Sequence, residues 1–195
     1  TLSQDRRQKL AELAAKYDVI VIEDDPYRDI RFQGKDLLPI KTFDEAGKVV
    51  LANSFSKIFS PGSRLGYVVA PDDIMDKIAY AKVATNSHSS KISEVLAAEF
   101  FKRGYFPNHL KRICAIYRER CAAMMKALDA YFPEGTKHTY PDGGLFTWAE
   151  LPGDIDTTEL LKETMDKLHI SFVAGRGFYV EGGDAGKNCM RISFG

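Results

Sequence analysis

The chain of 195 residues lacks several features that would have decided its class at once. No apolar run approaches the about 20 residues that a membrane-spanning helix needs. The opening residues, Thr1 to Lys9, are polar and charged rather than a signal sequence, so a soluble protein is expected. Charge of neither sign is in excess, with Lys+Arg and Asp+Glu at 27 each. That balance argues against nucleic acid or a membrane surface as the main partner and makes any anion site a local one. Cysteine is scarce: Cys114, Cys121 and Cys189 include no Cys-x-x-Cys pair, which fits a reducing cytoplasm without disulfides. His88, His109, His138 and His169 are scattered, with no pair at helical ligand spacing, so no metal centre is expected. No Gly-x-Ser-x-Gly elbow supports a hydrolase triad. Gly182 to Lys187 imitates a phosphate loop, but Glu181 and Asn188 stand where the Walker pattern needs glycine and Ser or Thr. Internal repeats and low-complexity segments are absent as well.

What is present has an α/β rhythm. Ser3 is placed to cap a first helix whose apolar face is Leu10, Leu13 and Ala14. The β-branched run Asp18 to Ile22 follows, ends in Glu23-Asp24-Asp25-Pro26-Tyr27, and predicts a strand buried on both faces. Ligands of such sheets gather at the carboxyl ends of strands, where Asp24, Asp25 and Tyr27 fall, although Asp-Pro also starts ordinary turns. Lys48 to Asn53 predicts a second buried strand. The apolar run Leu65 to Ala70 follows too soon for a helical crossover, so an antiparallel neighbour and a mixed sheet are expected. Pro71-Asp72-Asp73 caps a helix through Ile74, Ile78 and Ala81; Ser87 to Ser90 breaks it before another from Ile92 to Phe101. Apolar positions at helical spacing from Asn108 to Tyr131 predict one long amphipathic helix, which fits Cys114 and Cys121 as core residues on one face. A domain boundary is placed near Tyr131 to Gly135. Beyond it, strands are expected at Gly143 to Leu151, Ile170 to Val173 and Met190 to Phe194, with a helix from Thr157 to Leu168.

The stretch Ser54 to Tyr67 sits between two predicted strands and carries Ser54, Ser56, Lys57, a Pro61-Gly62 turn and Arg64. A surface hairpin with a solvated lysine would look the same. Yet a lysine on a short connection near a second cation is placed to act as a nucleophile toward an aldehyde, and two hydroxyls with an arginine suit a phosphate. Taken with Asp24, Tyr27 and the distant Arg191, the set describes a pyridine-aldehyde cofactor: Asp24 for a ring nitrogen, Tyr27 for a ring hydroxyl, Lys57 for the imine, and Ser54, Ser56 and Arg64 for the phosphate.

Three motifs, Asp24-Asp25-Pro26-Tyr27, Ser54 to Gly66 and Met190-Arg191-Ile192-Ser193-Phe194, resemble those of the fold-type I pyridoxal-phosphate-dependent aminotransferases, the aspartate aminotransferase superfamily. The similarity runs along essentially the whole chain and is greatest to the subgroup of aminoadipate, kynurenine and aromatic aminotransferases. It implies an α/β fold: part of the mixed, mostly parallel sheet of the large cofactor domain over residues 1–131, ending in a long linking helix, then an incomplete small α+β domain over 132–195. It implies Lys57 as the imine-forming lysine and proton shuttle, Asp24 and Tyr27 as partners of the ring, Ser54, Ser56 and Arg64 as phosphate ligands, and Arg191 as the fork for the substrate α-carboxylate. The cofactor would be pyridoxal 5′-phosphate, the substrates an amino acid and a 2-oxo acid, the assembly a homodimer and the location cytoplasmic. The family's Asn-Pro-x-Gly motif and final helix have no counterpart here, so a C-terminal portion of a longer enzyme is expected. Two other readings keep the same residues: the effector half of a bacterial transcription regulator, and a β-eliminating lyase.

Overall fold

The computed structural model describes residues 2–195. The chain divides into two compact units, Thr1–Cys114 and Ala115–Gly195.

In the first unit, helix α1 (Gln4–Tyr17) leads into strand β1 (Val21–Asp24), followed by β2 (Val49–Ser54), β3 (Gly66–Val69) and helices α2 (Asp72–Thr85) and α3 (Lys91–Lys102). The strands form one sheet in the order β1-β2-β3. β1 and β2 are parallel, with Asp24 opposite Ala52, and β3 is antiparallel to β2, with Gly66 opposite Ser54. This is the mixed sheet expected from the short gap before Leu65. α1 reaches the sheet through Ala11, which packs with Ile40 and Val49, and Leu10, Val21 and Phe43 close around them.

Several local expectations need correction. Ser3 stands at the cap position and its carbonyl accepts from Arg7 N at 3.0 Å, but its hydroxyl makes no cap bond. The buried line of α1 is Arg7, Ala11 and Ala14; Leu13 lies outside it, exposed. Strand β1 is covered on one face only. Glu23 is buried, whereas Ile22, next to it on the other face, is 72% exposed. Apolar content fits the strand for burial on both sides, but only tertiary cover can bury it, and α1 with the Ile40–Phe43 turn covers one side.

Helix α4 (Phe106–Tyr131) is as long as the apolar spacing predicts, and the division between the units falls inside it. The boundary expected near Tyr131 to Gly135 marks the end of the same helix. Cys114 and Cys121 on α4 are buried and form no disulfide, and the same holds for Cys189.

The second unit holds an antiparallel sheet in the order β4-β5-β7-β6, built from β4 (Lys137–His138), β5 (Phe146–Glu150), β6 (Val173–Ala174) and β7 (Cys189–Ser193), with helix α5 (Thr157–Leu168). Ala149, Leu151 and Met190 form its core, with Ile155, Leu160 and Phe172 packed against them. The helix stands where the sequence predicts it, its cap made by the Asp156 carboxylate accepting from Thr158 N at 2.9 Å. The strand predicted at Ile170 to Val173 shrinks to Val173–Ala174, and the short β4 went unforeseen. His169, in the left-handed region at φ 54°, ends α5, so the next residues turn back to the sheet before they can pair with it.

Candidate active site

Parallel pairing sets the carboxyl ends of β1 and β2 side by side. Asp25 N donates to Ala52 O at 3.0 Å, which ties the residue after β1 to the end of β2. β3 begins opposite the last residue of β2, so Arg64 returns to the same edge of the sheet. The connection between them is a tight turn. Phe55 O accepts from Phe59 N at 2.8 Å, and Phe55 N donates to Leu65 O at 3.0 Å. Buried Ile58 and Leu65 anchor it from below. From α3, Phe101 and Phe100 meet Phe55 and Phe59 with ring centroids 5.5 and 5.0 Å apart.

On this frame Lys57 is exposed, and its Nζ lies 5.9 Å from the centre of the Tyr27 ring. The amine therefore sits over the aromatic that follows β1, although the two residues are far apart in sequence. Ser54 Oγ lies 2.9 Å from Ser56 Oγ and accepts from Ser56 N at 3.1 Å. The two hydroxyls thus form one polar cluster beside the lysine turn. Arg64, exposed, adopts the left-handed conformation at φ 51°, ψ 39°. A residue other than glycine in that region costs roughly 1–2 kcal/mol, because its Cβ crowds the following carbonyl, and such strain tends to collect at functional sites. Here the backbone pairings of Leu65 and Gly66 on its C-terminal side hold it in place.

Gly66 is needed for a close approach. A Cβ there would lie 2.6 Å from Asn53 O, inside the β2–β3 pairing. Gly66→Ala is expected to destabilise the chain by about 1–3 kcal/mol, as overpacking against backbone does, and to displace Arg64. A denaturant midpoint equal to wild type would count against this role.

Beneath the site lies a buried ion pair that the sequence reading passed over. Arg7 Nη1 donates to Glu23 Oε1 at 3.1 Å, with side chains 8% and 5% exposed. The same carboxylate accepts from Ile40 N at 2.8 Å and from Lys41 N at 3.1 Å. A glutamate at the end of an apolar run, one position before the exposed Asp24, was the available signal, since such a group is buried only when paired. Two residues further on, the Asp25 carboxyl is pushed up from its ordinary value by burial, partly offset by Arg28, whose Nη1 lies 3.7 Å away.

The structure thus brings Asp24, Tyr27, Ser54, Ser56, Lys57 and Arg64 to one sheet edge of the first unit. Arg191 belongs to the second unit, on β7 opposite Trp148 of β5 and Val173 of β6. Its guanidinium carbon lies 4.3 Å from the centre of the Phe146 ring and 5.3 Å from that of Phe178.

A left-handed arginine, paired serines and a lysine over a tyrosine thus lie together at strand ends, and comparison with known proteins gives the chain a family. The family described as aminotransferase class I and II matches residues 1–195. This chain belongs to the class I and II aminotransferases. The family assignment agrees with the resemblance drawn from the three motifs, and the α/β class with it. Among relatives of this aminotransferase-family chain, aromatic-amino-acid aminotransferase 1 of Thermococcus litoralis is 39% identical over 194 residues, covering 100% of this chain and 46% of that protein. A solved kynurenine aminotransferase of Pyrococcus horikoshii, in complex with PMP, has a TM-score of 0.90 at 38% identity, covering 100% of this chain and 47% of that one. An uncharacterized HTH-type transcriptional regulator of Escherichia coli, YjiR, is 31% identical and is covered over 39% of its length. The chain spans about half the length of the curated relatives it matches.

Proposed function

We propose that residues 1–131 form the cofactor-binding part, and 132–195 the small domain, of a protein that moves an amino group between an amino acid and a 2-oxo acid using pyridoxal 5′-phosphate. The observation that carries this reading is the Lys57 amine over the Tyr27 ring, beside the paired Ser54 and Ser56 hydroxyls. The donor set fits the group: two hydroxyls and an exposed guanidinium for a phosphate, an exposed carboxylate at the end of β1 for a ring nitrogen, and an exposed amine for an aldehyde. Bound there, the cofactor supplies an aldehyde carbon and an electron-withdrawing ring that acidifies the α-hydrogen of the amino acid.

The chain's own residues do the rest. Ser54, Ser56 and Arg64 hold the phosphate, the arginine supplying fixed charge. Asp24 keeps a proton on the ring nitrogen by placing a carboxylate beside it. Tyr27 donates from its hydroxyl to the ring oxygen. Lys57 would serve as the nucleophile toward the aldehyde, and its Nζ would take the substrate α-proton and deliver it to the carbon that came from the aldehyde, the shift that moves the amino group. Arg191 binds the α-carboxylate shared by all amino acids. A second copy of the protein is the expected partner.

The test is covalent labelling. The chain is incubated with pyridoxal 5′-phosphate, reduced with borohydride and digested. The expected result is cofactor mass concentrated on the Lys57 peptide; label spread evenly over the exposed lysines overturns the assignment. The match to an HTH-type regulator supports a second reading, in which the same site senses the cofactor. Sequence-specific DNA binding by the full-length protein would favour it, and amino-group transfer without DNA binding would exclude it.

A further inference from the structure

We propose that Phe146 and Phe178 are positioning residues for Arg191, stacking its guanidinium so that only the edge formed by its two terminal nitrogens remains open for a two-point carboxylate contact. The inference deepens the reading above and rests on Arg191 as the carboxylate-binding residue.

The geometry is as follows. Arg191 lies on the central strand β7, and Trp148 and Val173 are its direct neighbours in register. The face it shares with Phe146 and Trp148 is the half-buried one, while Thr147 and Ala149 point to the buried side. Phe146 and Phe178 both lie within cation–π range of the guanidinium. Phe178 in turn packs edge-on against Trp148, centroids 5.1 Å apart. Arg191 Nε is covered and has no hydrogen-bond partner among the described residues. Aromatic faces cannot accept the in-plane N–H bonds of a guanidinium, so stacking takes up its flanks without satisfying its donors. With Nε covered, the terminal nitrogens are what is left, and Arg191 itself is only half-buried.

A second arginine nearby in sequence shows the opposite arrangement. Arg176 Nη2 donates to Asp156 at 2.9 Å and lies 3.0 Å from Asp184, and Nη1 donates to Gly183 O. The hydrogen bond from Arg176 holds the Asp156 carboxyl down at about 2. That guanidinium is spoken for by carboxylates of its own chain. Among the described residues Arg191 has no such ion pair, and stacking is the arrangement that orders a cation while leaving its anion site free.

The test uses the chain's single tryptophan, Trp148, as reporter. Propionate is chosen because it offers a carboxylate without an amine or an aromatic ring, and it is titrated at constant ionic strength set with chloride while Trp148 emission is followed. Wild type is expected to saturate. Arg191→Lys is expected to lose the response, Phe178→Leu and Phe146→Leu to weaken it about fivefold each, and Phe178→Tyr, which keeps an aromatic face, to stay within about twofold. Phe178 is 48% exposed, so its substitution tests position rather than folding, and far-ultraviolet circular dichroism of each variant checks this. Leucine variants that bind propionate as wild type does overturn the aromatic inference alone. A saturable response that survives in Arg191→Lys, or none in wild type, overturns the carboxylate role of Arg191 and the inference with it.

Discussion

Replacing Lys57 by alanine is expected to lower amino-group transfer by the full-length protein at least about 10³-fold with little change in stability. The stability side follows from its surroundings. Lys57 is exposed, and its Nζ lies 5.9 Å from the centre of the Tyr27 ring. A cation–π contact at an exposed site contributes about 0.5–1 kcal/mol at most, and the turn itself is held by Ile58, Leu65 and the phenylalanines of α3. The activity side is larger because the proposed function assigns one atom two duties. Proton transfer by a positioned side chain contributes roughly 10²–10⁴-fold, and the loss of a nucleophile adds to that. Lys57→Arg separates charge from chemistry: a guanidinium keeps the positive charge but does not deprotonate, so it is expected to be as inactive as alanine. Steady-state rates with an amino acid and a 2-oxo acid, beside a denaturant midpoint, give both readouts. A Lys57→Ala enzyme within about tenfold of wild type would remove Lys57 from the chemistry.

The fold class and the position of the site were legible because both rest on local chemistry. A β-branched run ending in acidic residues and proline needs no tertiary information to mark a strand end. The gap before Leu65, too short for a crossover, dictates an antiparallel partner by geometry alone. The helix expected from Thr157 to Leu168 has those bounds in α5, and the structure adds the cap at Asp156 that fixes its start. What escaped depends on partners distant in sequence. That Ile22 is bare while Glu23 is buried is decided by α1 and the Ile40–Phe43 turn, and no pattern within β1 contains them. The same holds for Arg191. Its motif was visible, but the rings that flank it come from another strand and from a turn, where alternation in β5 placed Phe146 on a face without saying what shared it.

The largest expected effect on stability lies at Glu23. Its carboxylate joins three segments: Arg7 on α1, the Ile40 and Lys41 amides of the connection, and β1 itself. Arg7 is held further by donating from Nε to Leu2 O at 3.1 Å and from Nη1 to Leu38 O at 3.3 Å. Glu23→Ala leaves a guanidinium buried without its counter-charge and two amides without their acceptor, and breaking a buried pair in this way costs about 3–5 kcal/mol. Glu23→Gln retains an acceptor and is expected to lose less, about 1–3 kcal/mol. The double replacement Arg7→Met with Glu23→Leu removes both charges together, so it should fall well short of the sum of the two single losses. The effect should also reach the site. β1 is only four residues long, and Asp24 follows Glu23 directly on its opposite face. Loosening the carboxylate's grip therefore moves the residue assigned to the ring nitrogen, and borohydride labelling at Lys57 should fall in Glu23→Ala even at temperatures where the chain stays folded. Urea midpoints for these variants and for Arg7→Met and Glu23→Leu alone, read beside the labelling yield, separate a clamp from a bystander. A Glu23→Ala chain as stable as wild type and labelled to the same extent would show that the ion pair holds neither the strand nor the site.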